Sequence, residues 1–303
     1  MKSYFLGANT RHGFSSLYSG FPPRRGDYIR ILKGGPGTGK STLLKAVAAE
    51  AQKRELPAER VLCSGDPDSL DGVYLPSLSI ALVDGTAPHA VEPTLFGVTG
   101  DYLDLGRHLS RPFDAREKQE LLKLQERYRE IYRSVYEKLD AAWTSGWNEP
   151  VKTEEYVPSK ILEALPGQDK TGTVRRVFRS AITCQGIIST QLPEQYQVIP
   201  ASPDQIVRAA NRLSKIGWDL LLCPTPLDPV QPELLLLPEA SMAFVATNKP
   251  SQASREPMRQ AIELLRKAKS LHDEMEALYL PHMDLPKLNE EAENQIRTIF
   301  PDG

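Results

Sequence analysis

The segment Gly34-Gly35-Pro36-Gly37-Thr38-Gly39-Lys40-Ser41-Thr42 has the residue types and spacing of an anion cradle, G-x-x-x-x-G-K-[ST]. Glycines admit backbone angles that a Cβ would block, and they let amide N–H groups approach phosphate oxygens. A helix beginning just after Gly39 would add partial positive charge at its first turn. Lys40 would bring a full charge to the β and γ oxygens, and Ser41 a hydroxyl to Mg²⁺. The flanks agree with this. The apolar run Tyr28-Ile29-Arg30-Ile31-Leu32 predicts a strand ending at Lys33, and a helix is predicted from about Lys40.

Such a loop needs a second carboxylate to hold the metal, at the carboxyl edge of the sheet where ligands of open α/β folds bind. Ile80-Ala81-Leu82-Val83-Asp84 supplies one, so Asp84 is the expected Mg²⁺-associated acid, the alternative being a turn residue before Gly85. Many hydrolases with this loop place a water-polarising Glu directly after that Asp. Gly85 stands there instead, which argues against fast autonomous hydrolysis. The run from Cys63 to Gly72 carries Asp66, Asp68 and Asp71 and follows a predicted strand. It is the expected source of a base, with Asp66 favoured as nearest the strand end; the alternative is turn chemistry of Asp and Ser. His89 could sense a γ-phosphate or donate a proton, or simply pack a loop. Cys63 lacks the cationic setting of a reactive thiolate and reads as a small buried residue.

The elements that must position these residues occur twice. Phe5-Leu6-Gly7-Ala8-Asn9-Thr10-Arg11-His12-Gly13 and Phe178-Arg179-Ser180-Ala181-Ile182-Thr183-Cys184-Gln185-Gly186 both fit F-x-x-A-x-T-x-x-G. Each copy continues with an apolar run, a helical segment (about 40–54 and 203–216), a β-rich run ending in Cys63 or Cys223, an acidic, proline-containing loop and a second apolar run. Each closes with a long charged helix and a shorter one: about 114–143 with 158–165, and 255–278 with 287–299. Alternating strands and helices predict parallel sheets with crossover helices. The expected fold is α/β: two tandem P-loop NTPase-like three-layer α/β/α modules, 1–170 and 171–303, each with a helical hairpin appendage. The apolar stripe Leu121, Leu124, Tyr128, Ile131, Val135 and Leu139 packs either on its own domain or on a protein partner.

The second copy has lost the chemistry. Pro200-Ala201-Ser202-Pro203-Asp204-Gln205 replaces the loop, and Ala246 replaces Asp84. This copy is expected to pack on the first as a built-in pseudo-dimer, and Arg175, Arg176 and Arg179 are candidate arginine fingers in cis. The guanine-reading pattern [NT]-K-x-D is absent: Thr247-Asn248-Lys249-Pro250-Ser251 lacks the Asp. ATP is therefore the expected nucleotide, by elimination.

Composition bounds the rest. The chain has 303 residues, 40% apolar and 25% charged, enough for about two domains. Its net charge of −2 gives no bulk reason to bind nucleic acid or an anionic membrane. No stretch approaches ~18 consecutive apolar residues, and the first residues form no secretory signal. Three cysteines without C-x-x-C spacing argue against a disulfide framework or a zinc site. The expectation is a cytoplasmic protein.

The motif F-x-x-A-x-T-x-x-G, then GGPGTGKST, then C-S-G-D-P-D-S-L-D-G, then V-D-G-T-A-P-H-x-x-x-P resemble an uncharacterised bacterial family of tandem P-loop ATPase-like proteins, over nearly the whole chain. The resemblance implies ATP at Gly34–Thr42. The chain departs from that family in lacking the second loop. Three readings follow: a slow or partner-stimulated Mg²⁺-dependent ATPase acting as a switch, a small-molecule kinase, or a nucleotide-gated scaffold.

Overall fold

The computed structural model describes residues 2–147, 149–150, 161, 163 and 165–301. In chain order the first half contains β1 (Lys2–Phe5), β2 (Gly7–Thr10), β3 (Gly13–Ser16), β4 (Tyr28–Lys33), α1 (Lys40–Lys53), β5 (Glu59–Leu62), β6 (Leu70–Leu75), β7 (Ile80–Asp84), β8 (Gly100–Asp104), α2 (Ala115–Thr144) and β9 (Glu149–Pro150). The second half contains β10 (Val174–Arg176), β11 (Ser180–Thr183), β12 (Gly186–Ser189), β13 (Gln197–Ala201), α3 (Pro203–Lys215), β14 (Leu220–Pro224), β15 (Pro232–Leu237), β16 (Met242–Ala246), β17 (Asn248–Lys249), α4 (Gln252–Tyr279) and α5 (Leu285–Ile299). Most of the short helix expected over 158–165 lies outside the described residues.

The two halves build sheets of the same order. The first runs β1-β5-β6-β7-β4-β8 and the second β10-β14-β15-β16-β13. Neither is purely parallel. β6 is antiparallel to β5 and β7, and β15 to β14 and β16, while the remaining pairs are parallel. The expected all-parallel sheet is corrected at these two strands. Leu70–Leu75 carries an Asp and a Gly and reads as turn, yet all six of its residues are buried. Leu75 pairs with Ile80, so a tight hairpin joins β6 to β7 and no crossover helix is needed.

Among the described residues, helices on both faces of each sheet are not found either. One face of the first sheet, with Ile29, Ile31, Val61, Ala81 and Val83, packs on one face of the second, with Cys223, Leu234 and Ala243. The described helices cover the outward faces: α1 on the first and α3 on the second. Apolar alternation cannot report which kind of layer covers a face, because a sheet and a helix satisfy it equally. The terminal segments are exchanged between halves. α5 lays Leu288, Ala292, Ile296 and Ile299 on the outer layer of the first sheet, and Ile161 and Leu165 join the outer layer of the second.

The repeated F-x-x-A-x-T-x-x-G run now has a structural cause. Phe5 and Phe178 form reciprocal backbone hydrogen bonds of 2.8 and 2.9 Å between the halves. Their rings share a buried cluster with Ala8 and Ala181. Thr10 Oγ1 donates to Gly13 O and accepts from His12 N; Thr183 Oγ1 does the same with Gly186 O and Gln185 N. Gly13 and Gly186 sit at φ +106° and +121°, the region that favours glycine in such tight hairpins.

The long helices α2 and α4 run antiparallel. Leu124 meets Leu271 and Met275 at one end, and Val135, Leu139 and Ala142 meet Met258, Ala261 and Leu265 at the other. The α2 stripe is thus buried against the other half's helix. No helix among the described residues is long and apolar enough to cross a membrane.

Glu233 on β15 is half-buried and accepts from Ser180 Oγ at 2.8 Å. Burial pushes its carboxyl up to about 7 from an ordinary 4.5, beyond what that hydrogen bond and the Arg179 charge pull back. The native state therefore holds this proton where the unfolded chain releases it, and stability falls as pH rises from 4.5 through about 7. Glu233→Gln removes that penalty. In chemical denaturation it is expected to gain about 1–2 kcal/mol over wild type at pH 8 relative to pH 5. An equal difference at both pH values would contradict this assignment.

Candidate functional site

The loop Gly34–Thr42 joins β4 to α1 at the carboxyl edge of the first sheet. Gly34, Gly37 and Gly39 adopt φ of +151°, +69° and +83°. A Cβ on Gly34 would lie 2.4 Å from Thr38 Oγ1, a buried hydroxyl that donates to Gly35 O at 2.9 Å. The loop thereby closes on itself, and α1 begins after Gly39, an N-cap with no side chain to offer, and has no acidic residue in its first turn. Its leading N–H groups are left for a ligand or water.

Lys40 Nζ donates to Gly34 O at 3.0 Å and Gly35 O at 2.9 Å, and lies 3.8 Å from Asp84 Oδ2. Both side chains are largely buried. β4 and β7 place Asp84 beside Leu32, and its Oδ1 accepts from Thr86 N at 2.8 Å and Thr86 Oγ1 at 2.6 Å. Ser41 Oγ accepts from Leu70 N at 3.0 Å, which leaves its hydroxyl proton free. Pro36 is half-buried and Thr42 exposed.

The other sequence candidates fall elsewhere. Asp66 is held in its own turn, accepting from Asp68 N and Ser69 Oγ, with Lys269 of α4 at 3.5 Å. These partners are not residues of the loop. Asp71, not favoured from the sequence, is the buried acid of that run. It accepts from Tyr18 Oη at 2.9 Å and faces His89 Nε2 at 3.4 Å. Burial first, and the nearby Asp84 charge as well, raise its carboxyl above the usual range, although His89 pulls the other way. His89 is buried against the rings of Phe14 and Tyr18, with Nδ1 lacking a partner among the described residues. Burial pushes the Cys63 thiol well up, consistent with an unreactive residue. Asp71 gives no local signal of its role, because the Asp and Gly of β6 have the composition of a loop.

The expected arginine fingers are not at the loop. Arg175 bonds Glu59 and Tyr4 Oη, Arg176 bonds Pro229 O, and Arg179 bonds Thr190 O. Arg175 and Arg176 lie on β10, the edge partner of β14, and Arg179 just precedes the second hairpin, so they serve the contact between sheets and that hairpin. What the second half brings to the loop is α4. A Cβ on Gly35 would lie 2.6 Å from Tyr279 Cε1, and one on Gly37 would lie 3.2 Å from Glu276 O.

The second sheet shows how the same position closes. β13 and β16 place Ala246 beside Ala201, the register that Asp84 and Leu32 hold in the first sheet. There α3 starts with a capping box: Ser202 Oγ accepts from Gln205 N, and Gln205 Oε1 accepts from Ser202 N. Donors left open at α1 are satisfied internally at α3.

No family model matches the chain, and no curated protein or solved structure matches it either.

Gly37 and Gly39, both at positive φ, separate backbone cost from contact cost. Gly39→Ala meets open space and is expected to lose roughly 1–2 kcal/mol from the left-handed backbone alone. Gly37→Ala must also displace the Glu276 carbonyl, so its loss in chemical denaturation is expected to be clearly larger. Equal losses would show that α4 does not bear on the loop.

Proposed function

We propose that this chain binds ATP with Mg²⁺ at Gly34–Thr42 and acts as a slow, or partner-stimulated, ATPase whose nucleotide state serves as a switch. The observation that carries this reading is the Lys40 ammonium, 3.8 Å from the Asp84 carboxylate and resting on two carbonyls of a glycine loop that leads into an uncapped helix. The donor set fits the ligand: main-chain amides and one ammonium suit phosphate oxygens, and a hydroxyl beside a carboxylate suits a hard divalent cation. Ser41 and Asp84 would hold that cation, which when bound offsets the negative charge of the phosphates.

The chain's own residues have distinct tasks. Lys40 exchanges the carbonyls of Gly34 and Gly35 for phosphate oxygens, a charge-assisted bond replacing neutral ones. Thr86 holds Asp84 in one orientation through two hydrogen bonds. Gly85, following Asp84, offers its carbonyl to Lys33 Nζ and has no side chain to polarise water. That supports slow turnover. ATP is preferred because the guanine-reading pattern is absent, and the capping box of α3 supports a single site per chain.

Calorimetry tests the site. Lys40→Ala is expected to weaken ATP binding at least tenfold, about 1.4 kcal/mol, while circular dichroism stays unchanged. Unaltered affinity would remove the loop from the proposal. Asp84→Asn is expected to bind ATP with little dependence on Mg²⁺; a retained Mg²⁺ requirement would remove Asp84 from the metal role.

A further inference from the structure

We infer that the last turn of α4, Glu276 to Tyr279, is a strap on the phosphate loop that nucleotide binding releases, so that the second half senses occupancy of a site it no longer contains. The inference rests on the nucleotide reading above and names how that site is read out. Its basis is a shared seat. Gly35 O is one of the two carbonyls that hold Lys40 Nζ, and the Tyr279 ring packs on the same residue, where a Cβ would come within 2.6 Å of it. Two residues further, Gly37 supports the main chain of Glu276. A lysine that leaves Gly35 for a phosphate loosens the surface on which Tyr279 lies.

Electrostatics sets the direction. The loop collects anions, but what covers it is the carboxyl end of a 28-residue helix, where partial negative charge gathers, with the Glu276 carboxylate on the same turn. A triphosphate in the loop repels that end. The structure also supplies a path outward. The Tyr279 ring is 4.9 Å from that of Phe113, and Phe113 stacks on His282 at 4.0 Å. His282 is fully buried, bonds Arg111 O at 3.2 Å and faces Glu117 Oε1 at 3.1 Å. Glu117 also closes the capping box on Asp114 that starts α2. The strap thus bears on the point where α2 and α4 are tied together, and moving it frays both helices there.

The test uses the full chain, with a non-hydrolysable ATP analogue and Mg²⁺ as probe, by calorimetry and hydrogen-exchange mass spectrometry. On binding, exchange is expected to rise in 113–124 and 272–283. Tyr279→Ala is expected to bind the analogue about fivefold tighter or more, because no strap has to be displaced. Its two segments should exchange fast before ligand is added. Tyr279→Phe keeps the ring and is expected to behave as wild type, and thermal melts check that both variants fold. If Tyr279→Ala does not fold, the exchange change in wild type decides. Binding to wild type with unchanged exchange, or equal affinity in the alanine variant, overturns the strap and leaves the nucleotide site standing. No binding to wild type removes the nucleotide reading and the strap together.

Discussion

Two sheets of like topology bury one face against each other, and the other features of the molecule are arranged around that contact. A sheet that spends one face on a second sheet has only its outer face left for helices. The Phe5–Phe178 backbone bridge and the twin hairpins sit where the halves meet, and the Arg175–Glu59–Tyr4 group links the first strands of both sheets. With the inner faces consumed, each half sends its terminal segment across to the outer layer of the other, and the two long helices meet as one antiparallel pair. The duplicate copy is therefore part of the core of the first.

That arrangement explains an asymmetry between the halves. Both have a helix starting at the carboxyl edge of a sheet, and both face the same problem of orphan N–H groups. The second half answers with Ser202 and Gln205, a local solution that closes the position. The first answers with glycines at positive φ and no cap, which leaves the donors available. One copy keeps the packing and the other keeps the open donors.

The acidic run shows how burial reassigns roles that composition leaves equal. Asp66 and Asp71 are both carboxylates within one short segment. Asp66 lies in a turn beside Lys269. Asp71 lies on an internal strand among Tyr18, His89 and Asp84, where desolvation weighs on its charge. Their difference arises from the antiparallel strand β6, whose Asp and Gly disguise it as a loop.

Much was legible from order alone. The loop Gly34–Thr42, the acid after an apolar strand, the duplication and the helical stripes depend on local spacing, and spacing is written in the chain. The antiparallel strands, the facing sheets, the exchanged terminal segments and the contact of Tyr279 with Gly35 were not legible. Each depends on residues far apart in sequence, and a buried apolar surface accepts any cover of matching shape. The linear order of residues determined which backbone segment is a glycine loop leading into an uncapped helix. Only the folded chain decided what stands over it, because close packing, unlike periodicity, is a property of neighbours in space.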